Sequence, residues 1–145
     1  MTASTVERAR ADDVDGVLAL LDENQLPTAG LTRHIATAVV AREGGRVVGS
    51  AALEIYADGV LLRSVAVTPA RQHQGLGREL TTAALQLASE LHAPAVYLLT
   101  TTADHYFSQF GFERIARANV PASVQASVEF ASACPSSATV MRKRL

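Results

Sequence analysis

A strand, a glycine turn and a long amphipathic helix follow one another without interruption between Val60 and Leu91, and this unit decides what the rest of the chain can be. The apolar run Val60 to Val67 stops at Thr68-Pro69, and a short polar turn then leads into Gly75-Leu76-Gly77. Beyond it Leu76, Leu80, Ala83, Ala84, Leu87, Ala88 and Leu91 form one stripe at helical spacing. The pattern ends near His92-Ala93-Pro94, and Ala95 to Thr100 is a near-continuous apolar run of the length of a buried strand. Two strands joined through a helix lie parallel in one sheet, because a helical crossover returns the chain to the end from which it left.

The remaining segments assemble around that unit. Val6 to Arg10 reads as a first strand. Asp12-Asp13 open a helix whose Val14, Val17, Leu18 and Leu21 recur at helical spacing. Asn24 to Gly30 is a loop, since Pro27 bars an easy continuation of the helix. Leu31 to Ile35 is short enough for one helical turn. Ala38 to Arg42 and Arg46 to Tyr56 are strands around the hairpin signal Glu43-Gly44-Gly45, and Ala57-Asp58-Gly59 turns the chain into the strand ending at Val67. Downstream, Ala103 to Gln109 predicts a short helix, Glu113 to Arg117 a strand, Pro121 to Ala131 a helix and Ala138 to Leu145 a last strand. The expected fold is α/β (α+β): a mixed, mostly antiparallel sheet flanked by helices, with one parallel strand pair. There are no repeats or linkers, so residues 1–145 are expected to form a single domain.

Composition narrows the function. The chain is 48% hydrophobic and 19% charged, with a net charge of −1, which suits a folded domain and offers no basic stripe for nucleic acid. Its apolar runs are strand-sized, and the first residues lack the apolar core of a signal peptide, so the expectation is a cytoplasmic protein off the membrane. A single cysteine, Cys134, excludes an intrachain disulfide and a Cys-rich metal site, and the four scattered histidines suggest no metal. Cys134 itself reads as a small buried hydrophobe.

The glycine turn has the layout of a pyrophosphate cradle. Glycine lets backbone approach a ligand closely, and the first turn of a helix offers unpaired N–H groups at the positive end of the helix dipole. A nucleotide P-loop would need Lys and Ser or Thr after the last glycine, where Arg78-Glu79 stand; a dinucleotide turn would need a small residue at Leu80. Gln72-His73-Gln74-Gly75-Leu76-Gly77, after a strand ending Val-x-Pro, instead resembles the coenzyme A motif of the GNAT N-acetyltransferase superfamily. A second stretch, Leu98-Leu99-Thr100-Thr101-Thr102-Ala103 followed by Tyr106-Phe107 and Gly111-Phe112, is similar to that superfamily's other signature and stands at the matching distance. The Leu-Thr-Thr before the aromatic pair is similar to the acetyltransferase domain of N-acetylglutamate synthase. Leu26-Pro27, Leu61 to Val67, Leu98 to Ala103, Glu129-Phe130 and Cys134-Pro135 together resemble the acetyltransferases associated with arsenic resistance.

These resemblances imply transfer of acetyl from acetyl-CoA to a primary amine, with the parallel strands splayed to admit the pantetheine arm. The implied acceptor is a small amino-acid-like molecule, such as a glutamate analogue or an organoarsenical. They also imply that Val65, Ala66 and Val67, the turn residues Gln72, His73, Gln74, Gly75, Leu76, Gly77 and Arg78, and Phe107 bind the cosubstrate. The Val65 N–H is the expected oxyanion donor. A homodimer is expected from the superfamily's habit, the small size and an exposed final strand.

Where relatives carry a Glu base this chain has Leu61, and where many carry a Tyr acid it has Phe107. Glu54 on the neighbouring strand is the candidate base, against a solvated strand carboxylate; Tyr106 is the candidate acid, against an ordinary half-buried aromatic. Water-mediated proton transfer competes with both. Arg63, mid-strand in an apolar run, either pairs with Glu54 or forks a substrate carboxylate, and the two are not exclusive. Ser64, Thr100 and Thr101 offer hydroxyls near the strand split for substrate binding. Asn24, Arg33 and His34 lie in the region covering the acceptor site. The reading from a different class is an acyl-CoA-binding sensor without turnover; a protein-directed acetyltransferase is a third.

Overall fold

A computed structural model describes residues 5–130 and 137–145. Seven strands form one sheet: β1 (Thr5–Arg8), β2 (Ala38–Glu43), β3 (Arg46–Tyr56), β4 (Gly59–Val67), β5 (Ala95–Thr100), β6 (Glu113–Arg114) and β7 (Thr139–Arg144), in the order β1-β2-β3-β4-β5-β7-β6. Every neighbouring pair is antiparallel except β4 with β5. The helices are α1 (Val14–Glu23), α2 (Leu76–Glu90), α3 (Asp104–Ser108) and α4 (Ala122–Gln125), and a 3-10 segment spans Leu31–Thr37.

Strand alternation sorts the core onto two faces. On one, Val39, Ala41, Ala51, Leu53, Val60, Leu62, Val96 and Leu98 meet Leu76, Leu80, Ala84, Leu87 and Ala88 of α2, with Phe107 of α3 and Phe112. On the other, Val40, Ala52 and Ala66 meet α1 through Val17, Leu20 and Leu21, while Leu61, Tyr97 and Val140 meet Val124 of α4. The expected α2 stripe is buried up to Ala88 except for the half-buried Ala83. Leu91 is 44% exposed because the helix ends at Glu90 and Leu91 falls on its C-cap.

Three expectations are corrected. The Glu113–Arg117 strand shrinks to Glu113–Arg114, since Arg117–Asn119 turns into a 3-10 helix. The expected helix from Pro121 holds regular α-helix only over Ala122–Gln125 in its first part. The last strand, taken as exposed, lies between β5 and β6, with β6 pairing Arg142 and Met141, so its edge gives little support to self-association. Cys134 lies outside the described residues. Among the described residues no helix is long and apolar enough to cross a membrane, and no group of three or more His, Cys, Asp or Glu side chains could hold a metal ion.

Candidate active site

The two parallel strands are paired only at Val60 with Val96 and at Leu61 with Tyr97. Past that point β4 and β5 part, and a cleft of about 960 Å³ opens between them. One cause lies in β4 itself. Its pairing with β3 jumps from Ala52–Arg63 to Ser50–Ala66, so β4 carries an extra residue around Ser64. Ser64 has φ 58°, a left-handed conformation rare for a residue with a side chain, and its carbonyl accepts from Ser50 Oγ at 2.7 Å. This bulge was not foreseen, because serine gives no signal of positive φ.

At one end of the cleft is the glycine turn. His73 and Gly75 both have positive φ, 65° and 85°, and Gly75 is the N-cap of α2. A Cβ on Gly75 would meet nothing within 4 Å, so the turn faces open space. The N–H groups of Leu76, Gly77 and Arg78 stand in the first helical turn, where no carbonyl one turn back can receive them. Gln72 Nε2 donates to the Val67 carbonyl at 3.0 Å and to Asn24 Oδ1 at 3.1 Å, while Thr68 Oγ1 donates to Glu23 Oε1 at 2.8 Å, tying the turn to the end of α1. Arg78 donates to Gln109 Oε1 at 2.9 Å and lies 5.4 Å over the Phe110 ring.

Along the α2 face, Tyr106 and Phe107 both line the cleft in edge-to-face contact, 5.1 Å between centroids. The Tyr106 hydroxyl is buried without a hydrogen-bond partner, and a Cβ on Gly77 would lie 3.1 Å from it. A buried orphan hydroxyl is uncommon and marks a place where a ligand group completes the bonding. The open glycine turn, the parted strands and this orphan group fit a pyrophosphate joined to a narrow amide-bearing arm.

The other end is polar in a different way. Glu54 and Arg63 share a face of the hairpin as diagonal neighbours, since Glu54 sits opposite Leu61 and Arg63 opposite Ala52. Both side chains are fully buried. Arg63 donates from Nη1 to Glu54 Oε2 at 2.8 Å and to the Ala29 carbonyl at 2.7 Å. Its Nη2 donates to the Pro27 carbonyl at 3.1 Å and lies 3.4 Å from Glu129 Oε2, and its Nε donates to Ser64 Oγ at 3.0 Å. The Tyr56 hydroxyl donates to Glu54 Oε1. Burial alone would push the Glu54 carboxyl up, but hydrogen bonds from Ser127, Tyr56 and Arg63, with His34 nearby, outweigh it and hold the group below the ordinary carboxylate value. Burial, and then the hydrogen bond that the protonated phenol donates to Glu54, push Tyr56 up to about 12. Burial also lowers His34, so at neutral pH its ring, 3.9 Å from Glu54, is not an ion-pair partner.

The structure therefore brings most of the sequence-derived candidates to one cleft and leaves five outside its lining. Val65, Ala66 and Val67, then Gln72, His73, Gly75, Gly77 and Arg78 line it, as do Arg63, Ser64, Thr100 and Thr101. Gln74 is on the outer surface of the turn, and Leu76 is buried beneath α2. Glu54 is behind the cleft wall, enclosed by its partners. Thr100 Oγ1 is engaged in accepting from the Ala103 N–H at 2.9 Å. Of the loop residues, Asn24 lines the cleft, while Arg33 and His34 do not. The carboxylate that does line it, Glu129, was not singled out as a site residue. Its signal was present: it is the only charged residue between Arg117 and Arg142.

The comparisons agree with this geometry. The Acetyltransferase (GNAT) domain family matches residues 34–114, which contain the glycine turn and the second signature. The chain is similar to an amino-acid acetyltransferase of Mycobacterium tuberculosis, 33% identical over 131 residues, covering 82% of this chain and 74% of that protein. Among solved structures it is similar to N-acetylglutamate synthase from Neisseria gonorrhoeae complexed with coenzyme A and N-acetyl-glutamate. There the TM-score is 0.83 at 21% identity, over 100% of this chain but only 36% of that one, a likeness of fold. It is also similar to Rv2747 of Mycobacterium tuberculosis in complex with CoA, with TM-score 0.79 and 25% identity over 97% of this chain and 99% of that one. The chain belongs to the GNAT acetyltransferase family and is an acyl-CoA-dependent N-acetyltransferase with acetyl-CoA as its cosubstrate.

Proposed function

We propose that residues 1–145 act as one catalytic domain that acetylates the primary amine of a small, amino-acid-like acceptor by direct transfer. The cleft carries this reading: an open helix N-terminus at one end, hydroxyls and a guanidinium–carboxylate group at the other, and a bulged strand between them. The similarity to an amino-acid acetyltransferase supports the acceptor class. Glutamate analogues and organoarsenicals are members of that class and belong in the test.

Bound acetyl-CoA supplies the activated acetyl group. The N–H groups of the first turn of α2 hold its pyrophosphate, and Arg78 adds positive charge there. The Val65 and Val67 backbone pairs with the amide arm as an added strand would. The Val65 N–H donates to the thioester oxygen as negative charge grows on it. Glu54, walled off from the cleft and held as a carboxylate, positions Arg63, and water takes the ammonium proton. Through Ala29 and Pro27, Arg63 fixes the loop that borders the acceptor end. Tyr106 donates its proton to the departing sulfur.

Thiol release from acetyl-CoA, followed across amino acids, glutamate analogues, an organoarsenical amine and peptides, tests the reading. Release with free amino acids and not with peptides is expected. Tight CoA binding without release for any amine would establish the sensor instead. In Tyr106→Phe, kcat is expected to fall about tenfold or more. The free protein should be as stable as the parent or about 1 kcal/mol more stable, because an unsatisfied buried hydroxyl is removed. An unchanged kcat removes Tyr106 as the acid.

A further inference from the structure

The acceptor end of the cleft has an unusual charge balance. Arg63 offers five N–H groups; four donate to Ser64 Oγ, the Ala29 and Pro27 carbonyls and Glu54 Oε2, and Nη2 also pairs with Glu129 Oε2 at 3.4 Å. With these partners in place at most one N–H remains toward the cleft, too few for a two-pronged fork on a substrate carboxylate. One guanidinium is held by two carboxylates, leaving a net negative charge in a setting where Arg63 and Glu54 are fully buried and Glu129 is 5% exposed. Of the two carboxylates only Glu129 lines the cleft, and it is the only acidic side chain that does among the described residues. The other lining cation, Arg78, belongs to the turn at the opposite end. Residues 1–4 and 131–136 contain no Lys or Arg that could add charge.

We propose that Glu129 receives the acceptor's ammonium group, and that with two carboxylates already against the Arg63 guanidinium the site selects acceptors bearing at most one carboxylate. A cationic amine entering this end completes the charge balance. With Glu54 and Glu129 already present, one acceptor carboxylate is the third anion near one guanidinium and is offset by the acceptor's own ammonium; a second would be the fourth with nothing to offset it, and like charges in a desolvated site repel strongly. Glu129 shares the Arg63 guanidinium with Ser64, the bulge residue preceding the proposed oxyanion donor Val65: Nε donates to Ser64 Oγ and Nη2 pairs with Glu129 Oε2. The proposal rests on the small-amine reading above and narrows it, ranking glutamate and other dianionic acceptors below glutamine-like amino acids and diamines.

Calorimetry on the CoA-bound protein and on Glu129→Gln, with L-glutamine, L-glutamate and 1,4-diaminobutane as probes, tests this. The parent is expected to bind glutamine and the diamine about tenfold or more tighter than glutamate, and the variant to lose about tenfold on those two, the worth of one charge-assisted bond. Glutamate binding should hold or improve in the variant, and CoA affinity should stay within about twofold, since the amide keeps an oxygen toward Arg63. Equal affinity for glutamate and glutamine in the parent, or a parallel loss for all three probes, overturns the proposal. Diamine binding that depends on Glu129, with neither amino acid bound, supports the proposal and sinks the amino-acid acceptor reading. Tight glutamate binding indifferent to the substitution does the reverse. No binding by any probe overturns both.

Discussion

Glu54 shows how far a single residue's role depends on its partners. In sequence Glu54 reads as a candidate base or a solvated strand carboxylate, and Arg63 on the next strand as its partner or a substrate contact. Register and burial rule out the solvated carboxylate, because the diagonal placement brings the two groups within hydrogen-bond distance and removes both from solvent. The lowered value of Glu54 has a thermodynamic sign. A carboxyl held lower in the folded state than in the unfolded chain contributes stability that is complete above about pH 4.3, the ordinary glutamate value, and is lost as pH falls toward the folded value. Glu54→Gln removes that group, so its unfolding free energy should decline less steeply between about pH 5 and pH 3 than the parent's, as measured by urea unfolding across the range. A parallel decline in both proteins would mean that Glu54 carries none of the acid sensitivity.

At the scale of elements, the glycine turn and its helix are the most exposed to substitution at one atom. Gly75 holds φ 85° with nothing within 4 Å of an added Cβ, so Gly75→Ala meets conformational cost without a clash. A loss of about 1–2 kcal/mol is expected in urea unfolding with an unchanged m-value. A larger loss would mean that neighbouring backbone had moved. This turn was legible in the sequence because glycine, proline and helical periodicity are local signals. So were β4, whose expected start at Val60 moved by one residue, and β5, matched from Ala95 to Thr100. What was not legible depends on tertiary fit. The bulge at Ser64 arises from pairing with β3. The brevity of β6 follows from the early turn at Arg117, and Glu129 reaches the cleft only because the chain after α4 returns to Arg63. The Arg63–Glu54 pair was foreseen as one alternative, but not the carbonyls of Pro27 and Ala29 that accept two more of its N–H groups.

For the whole molecule, the cleft is bounded by parts distant in sequence: the end of α1, the bulged β4, the glycine turn, β5 with α3, and Glu129. A ligand that spans them stabilises the fold by mass action. Free CoA at one hundred times its dissociation constant should add about 2.7 kcal/mol, or raise the thermal midpoint by about 5–10 °C for a domain of this size. Differential scanning measures it, and no shift would mean that the turn and the parted strands do not hold CoA. The bulge in β4 has a consequence of another kind. Before Ser64, Leu62 faces α2 and Arg63 faces away from it; after Ser64, Val65 and Val67 face α2, while Ala66 packs with the α1 side. The strand thus changes phase at one residue, like a half-step in a zipper. Deleting Ser64 would leave Val65, Ala66 and Val67 on their present faces and restore the two-residue alternation with β3: the phase step belongs to the extra residue, and removing it would close the bulge beside the cleft without turning the strand over.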